Sequence, residues 1–406
     1  MRVLGWCTGA LLVLSVHSVP AQAEPWQFDS AMPVTAAQGA ALFHQLEAAG
    51  RRSVAASGAT VAVAWTDNRD GAPRAYVAFR QGGAFTGERR VSGERDAYEP
   101  AITGLGDGRF VVVWEEDDAV WARVVGPESA GAPLSLSKQP AAYPTVAARA
   151  GRVYAAWAEQ AGRHKQIVVA ELGVQDDAAM DLVRRAPADA EVPAAEQSYP
   201  ALAVTESGVA VAWEDRRHGH TRLFHAYAAT AAEALTFSTH RLLNEQPPRQ
   251  SEIYGQGSGV ARVSLAARDE QVLAVWMDKR VFEFGYKIYA ALSTDGGRRF
   301  GANEAVQDVF GGTAAQWHPA AVLGPEGAVA VWEDTRDDVS DILLSWREGA
   351  DSWSDDLYVP PASGGGYQGA PAMAADAEGN LHLVWLNRES QNGPTELLYS
   401  FGKRAR

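Results

Sequence analysis

The chain of 406 residues holds a single cysteine, Cys7. It falls within residues 1–23, which read as a secretory leader: Arg2 is the charged start, residues 11–16 lie in the apolar stretch, and Ala21-Gln22-Ala23 is a small-residue cleavage site. The mature chain is therefore expected to lack disulfides and thiol chemistry, so its stability must come from core burial and closure of the fold. The apolar stretch is too short to span a bilayer, and no transmembrane segment is expected. Basic charge is scarce: 36 Lys and Arg against 50 Asp and Glu leave a net charge of −14, or −15 without Arg2. That balance speaks against nucleic acid and anionic membrane surfaces as general partners. No G-x-S-x-G stretch occurs, so nucleophile-elbow serine chemistry has no local signature. His218, His220 and His225 lie close in sequence, but no Cys or second His pair completes a ligand spacing. No metal and no cofactor are expected. The overall expectation is an exported monomer, periplasmic or extracellular.

Tryptophan is plentiful, at 13, and seven of these residues mark a repeat. In Val209-Ala210-Val211-Ala212-Trp213-Glu214-Asp215-Arg216-Arg217 an apolar run ends in Trp, an acid follows two residues later, and an Arg four later. The same device recurs at Trp65 with Asp67 and Arg69, Trp276 with Asp278 and Arg280, and Trp332 with Asp334 and Arg336. Looser copies stand at Trp114 with Glu116, Trp157 with Glu159, and Trp385 with Asn387 and Arg388. The spacings of 49, 43, 56, 63, 56 and 53 residues, built from short strands, predict a β-propeller.

Each repeat has one order. A short strand opens near a residue before proline, as in Glu99-Pro100, Tyr143-Pro144, Tyr199-Pro200, His318-Pro319 and Ala370-Pro371. The apolar strand ending in Trp follows, then an alternating third strand, then a more polar fourth. Four strands make a blade, and seven blades fill residues 24–406 as one all-β domain. The seventh repeat lacks a fourth strand of its own. Residues 26–34 resemble the end of the sixth repeat, near Trp353, and are expected to supply it, closing the ring and hiding the strand edge. Residues 36–50 carry Leu42, Phe43 and Leu46 at helical spacing and predict a short helix near 37–49, with His44 at its surface. Residues 174–197 read as a charged excursion ending the third repeat.

In the fifth repeat, Ser293-Thr294-Asp295-Gly296-Gly297-Arg298-Arg299-Phe300 stands between the third and fourth strands. It resembles the Asp-box, S-x-D-x-G-x-x-W, with Phe in place of Trp, and with the surrounding strands it resembles the sialidase-like (BNR-repeat) propeller superfamily. The resemblance implies a propeller. Sialidases of that superfamily use three Arg on a sugar carboxylate and a Tyr nucleophile paired with a Glu. By that implication Arg69, Arg280 and Arg336 are candidates for the clamp, Tyr254 for the nucleophile and Glu252 for its partner. The Arg-Ile-Pro motif usual in that superfamily is absent here.

Strand direction places the acid/Arg turns and the residues before proline on one face, and the Asp-box turn on the other. The acid/Arg pairs recur in most repeats, as a structural feature does. The residues before proline vary, as a site grafted on a symmetric frame does. Glu99, Tyr143, Tyr199, Trp317 and His318 are therefore the candidate ligand-binding residues, joined by Arg69, Arg280 and Arg336 if the pairs serve a carboxylate. Three readings follow: a propeller binding a glycan or a protein at its channel mouth, a sialidase-like hydrolase, and an interaction scaffold of the cell envelope.

Overall fold

The computed structural model describes residues 25–245, 259–280, 285–308, 313–349 and 351–405. The leader with Cys7, together with Glu252 and Tyr254, lies outside the described residues. Seven antiparallel sheets form a ring, a seven-bladed β-propeller of four-stranded blades. The fourth blade shows the pattern: Gln197–Val204, Gly208–His218, His220–Ala229 and Arg241–Leu242, paired in chain order from the channel outward. The third blade recruits Met180–Pro187 as its outer strand, so the middle of the expected excursion there is part of the sheet.

The repeated Trp explains why these strands stack as blades. Trp65, Trp114, Trp157, Trp213, Trp276, Trp332 and Trp385 are all 0–1% exposed. Each packs against the preceding blade, as Trp213 does against Ile167 and Val169 and Trp276 against Ala201 and Ala203. A buried indole N–H needs an acceptor. The acid two residues on supplies it: Trp65 Nε1 donates to Asp67 at 2.8 Å, Trp114 to Glu116 at 2.9 Å and Trp276 to Asp278 at 2.9 Å. In the seventh blade, where Asn387 replaces the acid, Trp385 Nε1 turns to Gln368 Oε1 at 2.7 Å.

The ring closes as the sequence predicts. Trp26–Phe28 pairs antiparallel with Glu396–Arg404, and Met32–Pro33 continues along the same strand. The first and last segments therefore share one blade.

The segment expected to be helical is not. His44–Gln45 pairs with Thr66 and Asp67 as the start of the first blade's inner strand, and Val54–Ser57 finishes that strand. Leu42 and Leu46 are buried while Phe43 between them is 41% exposed, so their spacing reflects a chain dipping twice into the core. Side-chain acceptors beside neighbouring strands replace helical bonds: Phe43 N–H donates to Asn68 Oδ1 and His44 N–H to Thr395 Oγ1. His44, expected at the surface, is 2% exposed; its Nδ1 lies 2.9 Å from Thr395 O, in the place where Gln197 sits in the fourth blade.

Between its two halves the first blade's inner strand leaves the sheet and plugs the channel. The plug is one 3-10 turn, Ala49–Arg51, touching the inner strands of the other six blades. Arg51 donates to Pro371 O at 2.7 Å and Leu46 O at 3.0 Å, and Arg52 to Leu202 O at 2.8 Å and Leu265 O at 3.0 Å. Gly50 turns the chain at φ 67°, where a Cβ would stand 3.1 Å from Thr145 Oγ1. Guanidinium groups suit this place because strand ends leave carbonyls facing the channel that need donors.

Candidate site at the channel mouth

Above the plug lies a cavity of about 950 Å³, open to the face that carries the acid/Arg turns. Its rim is set by one backbone device. Glu99, Tyr143, Tyr199, Arg262, His318 and Ala370 occupy the same bulge in six inner strands, all at φ between 47° and 59°. Arg51, at φ 59°, takes the corresponding place in the first blade. Left-handed backbone costs a non-glycine residue roughly 1–2 kcal/mol. Its N–H must also find a partner off the sheet. In four blades that partner is the side chain following the preceding blade's Trp: Glu115 accepts from Tyr143 N at 3.4 Å, Glu214 from Arg262 N at 2.8 Å, Met277 Sδ from His318 N at 3.3 Å, and Glu333 from Ala370 N at 3.1 Å. The bulge turns a side chain toward the mouth, and the acceptor brings a carboxylate beside it.

Of the residues anticipated for ligand binding, Glu99, Tyr143 and His318 line the cavity. Tyr199 stands behind Tyr143, ring centroids 4.1 Å apart, with Arg262 3.5 Å over its other face. Trp317 packs on Tyr286 at 5.1 Å, outside the lining. Arg69, Arg280 and Arg336 do not converge. Each is held by its own blade's acid, Arg280 by Asp278 and Arg336 by Asp334 at 2.8 and 2.7 Å, and Arg69 by Asp67. His218 and His220 are exposed in a turn while His225 is buried against Phe300, and among the described residues no group of acids, His or Cys has the arrangement of a metal site.

Five acids of the lining were missed in the sequence, Glu47, Glu115, Asp118, Glu333 and Asp338. Glu115 and Glu333 directly follow their blade's Trp, and that position was the available signal. Glu47 comes from the plug, for which no repeat provides a template. His318 bridges two of them, with Nδ1 3.1 Å from Glu333 Oε2 and Nε2 3.8 Å from Glu47 Oε1. Burial alone would raise the Glu47 carboxyl, but the charges of Arg51, His318 and Arg262 bring it below its ordinary value. Burial also raises Glu115. Glu99 is the outlier: burial, then the Glu115 charge, push it up to about 8, and its Oε2 is shielded without a hydrogen-bond partner among the described residues.

That shift has a consequence for stability. Below about pH 4 the Glu99 carboxyl is protonated both folded and unfolded. From there up to about 8 the folded chain keeps a proton that the unfolded chain has lost, so stability falls as pH rises through this window. Glu99→Gln, which stays neutral, is expected to match the wild type near pH 4 and to exceed it by about 4–5 kcal/mol near pH 9. Urea unfolding at the two pH values checks this; equal differences at both would remove the perturbed carboxyl.

No family model matches the sequence, and no curated protein matches it. Solved structures do. A protein of unknown function from Dyadobacter fermentans DSM 18053 aligns over 94% of this chain and 100% of its own, with a TM-score of 0.57 and 11% identity. The polysaccharide lyase Uly1 aligns over 87% and 89%, with a TM-score of 0.55 and 8% identity. The BP39L lectin from Burkholderia pseudomallei aligns over 88% and 98%, with a TM-score of 0.50 and 14% identity. At these identities the likeness is one of fold.

Proposed function

We propose that this chain is an exported β-propeller that binds a glycan in the cavity at its channel mouth. The observation carrying the proposal is the plugged cavity itself. It is concave, lined by Leu46 and Glu47 where the chain enters the plug, and walled by Tyr98, Tyr143 and Tyr367 among carboxylates. Tyrosine rings offer flat apolar faces to a pyranose, and carboxylates accept hydrogen bonds from its hydroxyls. A pocket of this volume is of the size that holds a small oligosaccharide. Propellers of similar shape include one named a lectin and one named a polysaccharide lyase. The sialidase-like alternative draws less support, because its three candidate arginines are each engaged within their own blades. Purified protein is expected to turn over no fluorogenic sialoside. On a glycan array it is expected to retain at least one oligosaccharide, and Tyr143→Ala with His318→Ala should weaken that binding about tenfold or more with the melting temperature nearly unchanged. An array without a hit, or binding indifferent to the double substitution, would refute the placement.

A further inference from the structure

The chemistry of the lining narrows the class of glycan. Glu47, Glu99, Glu115, Asp118, Glu333 and Asp338 all line the cavity, against Lys165 and Arg388 as the only lysine and arginine among the described residues of its wall. Both cations are already engaged: Lys165 Nζ lies 3.5 Å from Glu196, and Arg388 donates to Gln391 O at 3.4 Å. The arginines beneath are committed too, Arg51 to backbone carbonyls and Arg262 to the Tyr199 ring. The described part of the mouth is thus rich in carboxylates and poor in cations. Glu99 adds an independent sign, because among the described residues its Oε2 is shielded within this wall and unpartnered, on a backbone held left-handed at φ 50°. Burial keeps this carboxyl neutral at about pH 6, so it offers a polar group and no charge; a buried polar atom without a partner costs roughly 1–3 kcal/mol, which a polar group on the ligand would recover.

We propose that the cavity takes a cationic saccharide, an oligosaccharide of amino sugars whose amines are free. This inference rests on the glycan reading and names its charge. Anionic sugars, whether uronic or sialic acids, bring like charge into a poorly solvated acidic cavity and are disfavoured. Neutral sugars satisfy acceptors through hydroxyls but leave the carboxylate charge uncompensated. An ammonium group does both, through charge-assisted bonds about twice as strong as neutral ones. A lysine-rich peptide also carries positive charge, but it lacks the ring faces and vicinal hydroxyls that tyrosines and carboxylates together would meet. Amino sugars carry hydroxyls and ammonium, and their rings present faces to Tyr98, Tyr143 and Tyr367.

The test is calorimetric titration of the purified chain at about pH 6, where such amines are protonated. The probes are a glucosamine hexamer, the N-acetylglucosamine hexamer, an oligogalacturonate and pentalysine. The glucosamine hexamer is expected to bind at least tenfold more tightly than its acetylated counterpart, with a preference that shrinks as salt is raised. Glu115→Gln and Glu333→Gln keep an acceptor for the neighbouring backbone N–H. Each is expected to lower glucosamine-hexamer affinity severalfold and affinity for the acetylated hexamer distinctly less, with thermal melting confirming the fold. Equal binding of both hexamers would overturn the cationic preference and leave the glycan reading standing. Tighter binding of oligogalacturonate would overturn it in the opposite sense. Pentalysine binding without glucosamine binding would replace the saccharide with a basic peptide. Silence from all four probes, joined to an empty glycan array, would remove the site itself.

Discussion

Removal of residues 25–35 is expected to unfold the protein or leave it with only a small fraction of its stability. Those residues supply the outer strand of the seventh blade. Trp26, Gln27 and Phe28 pair with Arg404, Lys403 and Gly402, and Met32 and Pro33 pair with Tyr399 and Leu398. Asp29 N–H donates to Phe401 O at 2.8 Å, Val34 N–H to Leu397 O at 2.9 Å, and Ser400 Oγ to Asp29 O at 2.6 Å. Trp26 packs with Val329, Leu344 and Leu383 between the sixth and seventh blades, and Val34 packs with Trp65 between the seventh and the first. Losing a buried Trp costs roughly 3–5 kcal/mol and a buried Val a further ~2. The Glu396–Arg404 strand left bare adds a long exposed edge, where the other blades end in outer strands of their own. Against a typical total of about 5–15 kcal/mol, the sum is close to the whole. Circular dichroism melting of the truncated chain checks this, and a melting temperature equal to the full chain's would show that closure lies elsewhere. The two ends of the sequence hold each other, so the ring has no independent seventh blade.

Asp215→Ala is expected to be the most damaging single substitution among the acid/Arg pairs. Asp215 is 1% exposed. Its Oδ1 accepts from Arg217 N at 2.8 Å and Nε at 3.0 Å, and its Oδ2 accepts from Arg217 Nη2 at 2.7 Å and Gln197 Nε2 at 3.2 Å. The Trp213 indole lies 3.4 Å from the same oxygen. Alanine strips partners from three buried donors at once. Breaking one side of such a buried pair costs about 3–5 kcal/mol. Arg217 keeps Asp189 at 2.7 Å, which places the expected loss toward the lower end. Asp107→Ala is the control: Asp107 pairs with Arg109 at 2.7 Å but is largely exposed, and such pairs are worth about 0–1 kcal/mol. Denaturant midpoints of the two variants measure the contrast. Equal midpoints, or an Asp215→Ala protein of normal stability that no longer holds ligand, would move the pair from the frame to the site. The sites are independent: Asp215 and Arg217 belong to the blade's packing, whereas the cavity is lined by other residues.

The repeat was legible because a propeller solves one packing problem seven times. A Trp between sheets, an acid for its indole and an Arg for the acid must recur wherever a blade stacks on the last, so spacing alone displayed them. Closure was legible for a related reason: the seventh repeat lacks a strand that residues 26–34 match. The candidate site was legible only where it broke the repeat, at Glu99, Tyr143 and His318. Tyr199 and Trp317 break it as well, yet one is covered by Tyr143 and Arg262 and the other by Tyr286. Position in a repeat does not say which of two packed rings faces solvent.

Sequence by itself determined the blade count and the pairing order of the strands, because these depend on local alternation and on motifs that recur at regular spacing. Only the tertiary structure decided which acceptor each buried indole takes, that residues 46–53 leave the first blade to plug the channel, that His44 is buried, and that Glu47 and Glu333 meet His318 at the mouth with Glu115 in the same wall. Such convergence joins distant parts of the chain, as Glu47 with His318, around a closed ring. Charge and exposure at such a convergence belong to the assembled cavity, and no stretch of chain carries them alone.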